Sequence, residues 1–136
     1  MNLFKKSSLV SGLLAIIILL SFSTSAFAYT KVSVTTPFSD DQADPSMFNY
    51  QPNIEWFQDD TEGDYFSTFW INIYDENWNL VWTSGITTQN TYQKLMSIPV
   101  NTALPRYTKL IVTVGVQDGT GEWDIGGYPK WMYLTY

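Results

Sequence analysis

The chain has 136 residues, no cysteine, no histidine, and seven basic against thirteen acidic side chains. Those counts exclude a disulfide framework, a thiol nucleophile and a His- or Cys-ligated zinc site, and they leave room for one domain. The acidic balance argues against nucleic acid or anionic lipid as a partner, because binding phosphate needs clustered lysine and arginine.

The N-terminus carries the three parts of a helical export signal in the right order. Lys5 and Lys6 form the basic region, and Leu9 to Phe22 is nearly all apolar and carries no charge. Ser23 to Ala28 is mostly small and ends in the A-x-A pattern with Ala26 and Ala28, so cleavage after Ala28 is expected. That gives a signal peptide over 1–28 and a domain over 29–136. An uncleaved anchor is the alternative, but the apolar run is short for a bilayer span of about 20 residues. Without Lys5 and Lys6 the domain keeps five basic and thirteen acidic residues, a formal charge of −8. No second apolar run follows, so a secreted, extracellular product without stable membrane insertion is expected. Export without cysteine points to a bacterial protein rather than an animal ectodomain.

After Ala28 the dominant period is two. Thr30 to Thr36 alternates Val32 and Val34 with Lys31, Ser33 and Thr35, an opening strand stopped by Pro37. Phe38 to Pro52 reads as a long loop packed by Phe48 or Tyr50. Asn53 to Phe57 is a short strand with Ile54 and Trp56 on one side, which makes Trp56 the candidate central aromatic. An acidic turn over Gln58 to Asp64 leads into the strand Tyr65 to Asp75. One face of that strand holds Ser67, Phe69, Ile71 and Ile73; the other, wetter face holds Phe66, Thr68, Trp70, Asn72 and Tyr74 and is expected outward.

Glu76 to Asn79 turns into Leu80 to Thr83, a hairpin that sets Trp82 near Trp70 or Tyr74. Thr87 to Thr91 reads as a polar connection. Tyr92 to Val100 is extended, with Pro99 marking an edge position or a strand end. After a corner at Asn101 to Arg106, Tyr107 to Gln117 puts Leu110, Val112, Val114 and Val116 on the core face. Asp118 to Gly127 has four glycines and reads as a flexible turn, and Tyr128 to Tyr136 closes the chain as a strand. About seven strands with turns between them predict an all-β, antiparallel two-sheet sandwich, with a small barrel as the alternative.

The order NIEWF, YFSTFWINIYD, LVW and ALPRYTKLIVTVGVQDGTG resembles the fibronectin type III branch of immunoglobulin-like sandwiches. Trp56 matches the buried Trp of the second strand, Leu104 and Pro105 the pair before the sixth, and Val112, Val114, Val116 and Gly119 that strand and its turn. The Tyr that such domains set about six residues after the leucine is Leu110 here. The resemblance spans most of residues 30 to 136 and implies a binding module or a spacer, since fold alone does not fix function.

Without His or Cys, only carboxylates remain for acid–base chemistry, and they sit in turns rather than across a cleft, so a non-catalytic protein is expected. Asp59, Asp60, Glu62 and Asp64, with Gly63 among them, present hard oxygen ligands at the spacing calcium uses; a solvated turn is the competing reading. Twenty aromatics remain after residue 28, more than one core needs. Phe66, Trp70 and Tyr74 on one strand face, with Trp82 beside them, would make a row able to stack on a cell-wall glycan or meet an extracellular protein; packing under the long loop is the alternative. Trp123, among glycines, is either tucked over the sandwich edge or exposed as a binding tip. A secreted binding module is therefore the leading expectation, with a small toxin or antibacterial effector, or a self-assembling structural protein, as alternatives. Composition sets no oligomeric state.

Overall fold

A computed structural model describes residues 30–136; the expected leader over 1–28 and its cleavage site at Ala26 and Ala28 lie outside the described residues. Ten strands follow one another: β1 (Thr30–Thr36), β2 (Ser46–Phe48), β3 (Ile54–Asp60), β4 (Phe66–Asp75), β5 (Leu80–Thr83), β6 (Thr87–Thr91), β7 (Leu95–Ile98), β8 (Lys109–Asp118), β9 (Trp123–Ile125) and β10 (Lys130–Leu134). They form a three-stranded sheet in the order β1-β3-β7 and a seven-stranded sheet in the order β2-β10-β8-β4-β5, with β6 also on β4 and β9 also on β8. The fold is all-β, and its two sheets are compatible with a sandwich.

Alternation sets the core. Val32, Val34, Ile54 and Trp56 from the small sheet meet Phe69, Ile71, Ile73, Leu110, Val112, Val114 and Val116 from the large one, and every one of these is buried. Trp56 is wholly buried and tilts against Phe69 at a ring separation of 5.1 Å. Its indole N–H would be an orphan there without a partner. Gln58, also wholly buried, supplies one: Trp56 Nε1 donates to Gln58 Oε1 at 2.9 Å, and Gln58 Nε2 donates to the Gln93 carbonyl at 2.7 Å.

Three of the ten strands were not expected. Thr87–Thr91 is not a connection but a strand paired with β4, while β2 lies in the expected long loop and β9 in the expected glycine turn. β2 and β9 are only three residues long and β6 is wholly polar, so their order comes from the strands they pair with. The sheet is also not wholly antiparallel, because β2 runs parallel to β10. Pro99 does follow the end of β7, an edge strand.

One turn recurs three times, at Asp60–Asp64, Asp75–Asn79 and Asp118–Glu122. In each, the first aspartate's Oδ1 accepts two backbone N–H bonds at 2.8–3.0 Å, from Glu62 and Asp64, from Asn77 and Asn79, or from Thr120 and Glu122. Its carbonyl accepts the N–H three residues on, from Gly63, Trp78 or Gly121. That fourth position has positive φ, +78° at Gly63, +64° at Trp78 and +95° at Gly121. This is a hairpin turn closed by a left-handed residue, with aspartate fixing its start.

Candidate functional site

Two β-bulges decide which of the expected aromatic residues share a surface. Along β4 the ladder steps from Phe66 to Thr68, leaving Ser67 as the extra residue, its hydroxyl donating to the carbonyls of Gln117 and Asp118. The bulge reverses the alternation, so Phe66 turns inward and is buried in the core rather than facing out with Trp70. A second shift, between Ile73 and Tyr74, leaves Val81 unpaired and sets Trp82 opposite Ile73. Trp82 therefore lies on the core side, packed against the core, with Nε1 donating to Asn101 Oδ1 at 3.1 Å. Phe66 and Trp82 leave the expected row.

Trp70 and Tyr74 stay on the outer face of the large sheet, and Trp123 joins them. Trp123 stands opposite Gln117, which stands opposite Thr68, so its parity is that of Trp70; it is 40% exposed. Trp70 pairs across the ladder with Gly115. A β-carbon at Gly115 would overlap Nε1, Cε2 and Cζ2 of the Trp70 indole, so the ring lies over bare backbone of the neighbouring strand. Glycine is what allows the indole to lie down there.

The other end of the face is built on Tyr74, about 13 Å along β4 from Trp70 at the rise of an extended chain. Ile111 and Trp131 continue its row across the sheet; both are buried, yet neither belongs to the central core. Trp78, in the turn after β4, tilts against Tyr74 at a ring separation of 5.5 Å and is 54% exposed. In the two sister turns the equivalent residue is glycine. The left-handed conformation is unfavourable by roughly 1–2 kcal/mol for a residue with a β-carbon, so a tryptophan there opposes the local preference. Asn90 and Tyr107 are the other non-glycine residues with positive φ among the described residues. Setting DTEGD, DENWN and DGTGE side by side in the sequence would have singled Trp78 out.

Between the two aromatic ends lies a polar row of Thr113, Asn72 and Thr83. Thr83 Oγ1 donates to Asn72 Oδ1 at 2.7 Å, and Asn72 Nδ2 donates to the Tyr74 hydroxyl oxygen at 3.2 Å. From Trp123 to Tyr74 the face holds no charged side chain on β4 or β8. Asp75, beneath Trp78, is consumed by its turn: the Asn79 side chain, then the Asn79 and Asn77 amides, hold its carboxyl below the usual range.

The acidic turn does not gather its carboxylates. Asp59 pairs with Lys94 at 2.6 Å, and that contact first of all lowers its pKa. Asp60 points into its own turn, with Oδ1 on the Glu62 and Asp64 amides. Among the described residues no three acidic groups are clustered as metal ligands. Two grooves lie elsewhere: one of about 320 Å³ along β7, and one of about 490 Å³ beside Phe38, Phe48 and Tyr50. Glu55 is the one carboxylate lining either groove, and it accepts from Thr36 and Ser97.

No protein-family model matches the chain, and no curated protein is similar to it.

Proposed function

We propose that the chain is a secreted, extracellular, non-catalytic binding module of bacterial type, working through the outer face of its large sheet on a surface ligand, a glycan or a protein. The export signal read over 1–28 supports secretion. The single observation that carries the binding role is the placement of Trp70, Tyr74, Trp78 and Trp123 on one outward face, rings the core does not use. We further read the domain as an immunoglobulin or fibronectin III type sandwich. Lettering β1, β3, β4, β5, β7, β8 and β10 as A, B, C, C′, E, F and G gives sheets A-B-E and G-F-C-C′, the partition of that class.

Replacing Trp70 and Tyr74 together by Ala is expected to abolish binding to cell-wall polysaccharide or to a captured partner, with the circular dichroism spectrum retained. Binding at wild-type strength in the double variant defeats the proposal.

A further inference from the structure

With the outer face taken as the binding surface, we infer that its ligand is a neutral polysaccharide chain and that Trp78 and Tyr74 form its principal contact. Three observations converge on that chemistry. The first is Trp78 itself: a five-residue turn built three times uses glycine at its left-handed position twice and an exposed tryptophan once. The tryptophan is at the tip nearest Tyr74, where its ring extends the aromatic surface. A position whose backbone favours glycine keeps a large ring when the ring has work to do.

The second observation is a directed donor. The Tyr74 hydroxyl oxygen already accepts from Asn72, whose own oxygen is held by Thr83. A phenol has one hydrogen, and among the described residues no acceptor takes it. A sugar hydroxyl beside a stacked ring can accept it. The third is charge: the chain has thirteen acidic and seven basic residues, yet the β4 and β8 rows between Trp70 and Tyr74 carry only rings, amides, hydroxyls and aliphatic groups. Between those two rings an anionic polymer finds no counter-charge; the one base in the outward row of β8 is Lys109, a position beyond Ile111. A protein partner would ask for a continuous apolar centre, whereas here a polar row divides the rings. Stacking at both ends with hydrogen bonds between suits a chain of neutral sugar rings lying along β4.

The test uses the secreted protein and its Trp78→Gly and Trp78→Asn variants, both of which tolerate positive φ. Each is titrated with soluble neutral glucans and mannans, and with polygalacturonate and heparin as charged controls. The wild type is expected to bind a neutral polymer in preference to either control. Both variants are expected to lose affinity at least tenfold while keeping the circular dichroism spectrum of the wild type. Variants that bind like the wild type, a preference for the charged polymers, or binding to none of them would each overturn the inference. If Trp78→Gly binds normally while the Trp70/Tyr74 double variant does not, the binding face stands and the role of Trp78 falls.

Discussion

Gly115→Ala offers a sharp perturbation of the outer face, because the three atoms nearest to a new β-carbon all belong to the Trp70 indole. The ring must leave the sheet. A tryptophan covers 150–250 Å²; if the half-buried Trp70 forfeits roughly 100 Å² of apolar contact, the loss at about 25 cal/mol per Å² is about 2.5 kcal/mol. Alanine's smaller unfolded-state entropy returns about 0.5–1 kcal/mol. A net loss of about 1.5–2 kcal/mol is expected, a fall in Tm on the order of 10 °C for a domain of this size. In a Trp70→Ala background the same substitution meets no indole, so its sign reverses and it stabilises by about 0.5 kcal/mol. A double-mutant cycle by thermal unfolding reads that coupling directly. An equal loss in both backgrounds would refute the placement of the indole over Gly115.

Gln58→Leu leaves the buried Trp56 N–H and the Gln93 carbonyl without their partner, and is expected to destabilise by about 2–4 kcal/mol in urea unfolding; a change within 0.5 kcal/mol, the usual bound for surface substitutions, contradicts the network. At Asp118, burial raises the carboxyl, but hydrogen bonds from Thr120, Glu122 and Thr30 outweigh it and the folded pKa is lowered. A lowered folded value means stability that is present above the ordinary aspartate pKa of about 3.9 and lost as pH falls through the folded value. The acid limb of Tm against pH should therefore flatten in Asp118→Asn; an unchanged limb contradicts this. Since Asp59 and Asp60 are held by Lys94 and by their own turn, millimolar calcium or a chelator is expected to leave Tm unmoved; a rise with calcium would restore a site at Asp59, Asp60, Glu62 and Asp64.

Strands with apolar alternation could be read in the sequence because burial on one face writes a period of two. β1 begins and ends where its valines and Pro37 say, and Trp56 is the central ring. What alternation hides is a shift in its own phase. Ser67 and Val81 are unremarkable residues, yet as bulges they send Phe66 and Trp82 to the core side, and nothing local marks either as the unpaired one. β2, β6 and β9 escape for a different reason: their order lies in the partner strand. Two of the four rings of the candidate face, Trp70 and Tyr74, were therefore legible by period, and Trp123 was open between an edge and a tip. Trp78 was hidden in a turn whose meaning comes from comparison with its two sisters.

The binding role of the outer face is tested most directly by following the six indole N–H signals in the nuclear magnetic resonance spectrum of the protein as a neutral glucan is added. Trp70, Trp78 and Trp123 should shift with the titration while Trp56 and Trp82, on the core side, stay in place. Unmoved signals from Trp70 and Trp78, or shifts led by Trp56 and Trp82, would contradict it.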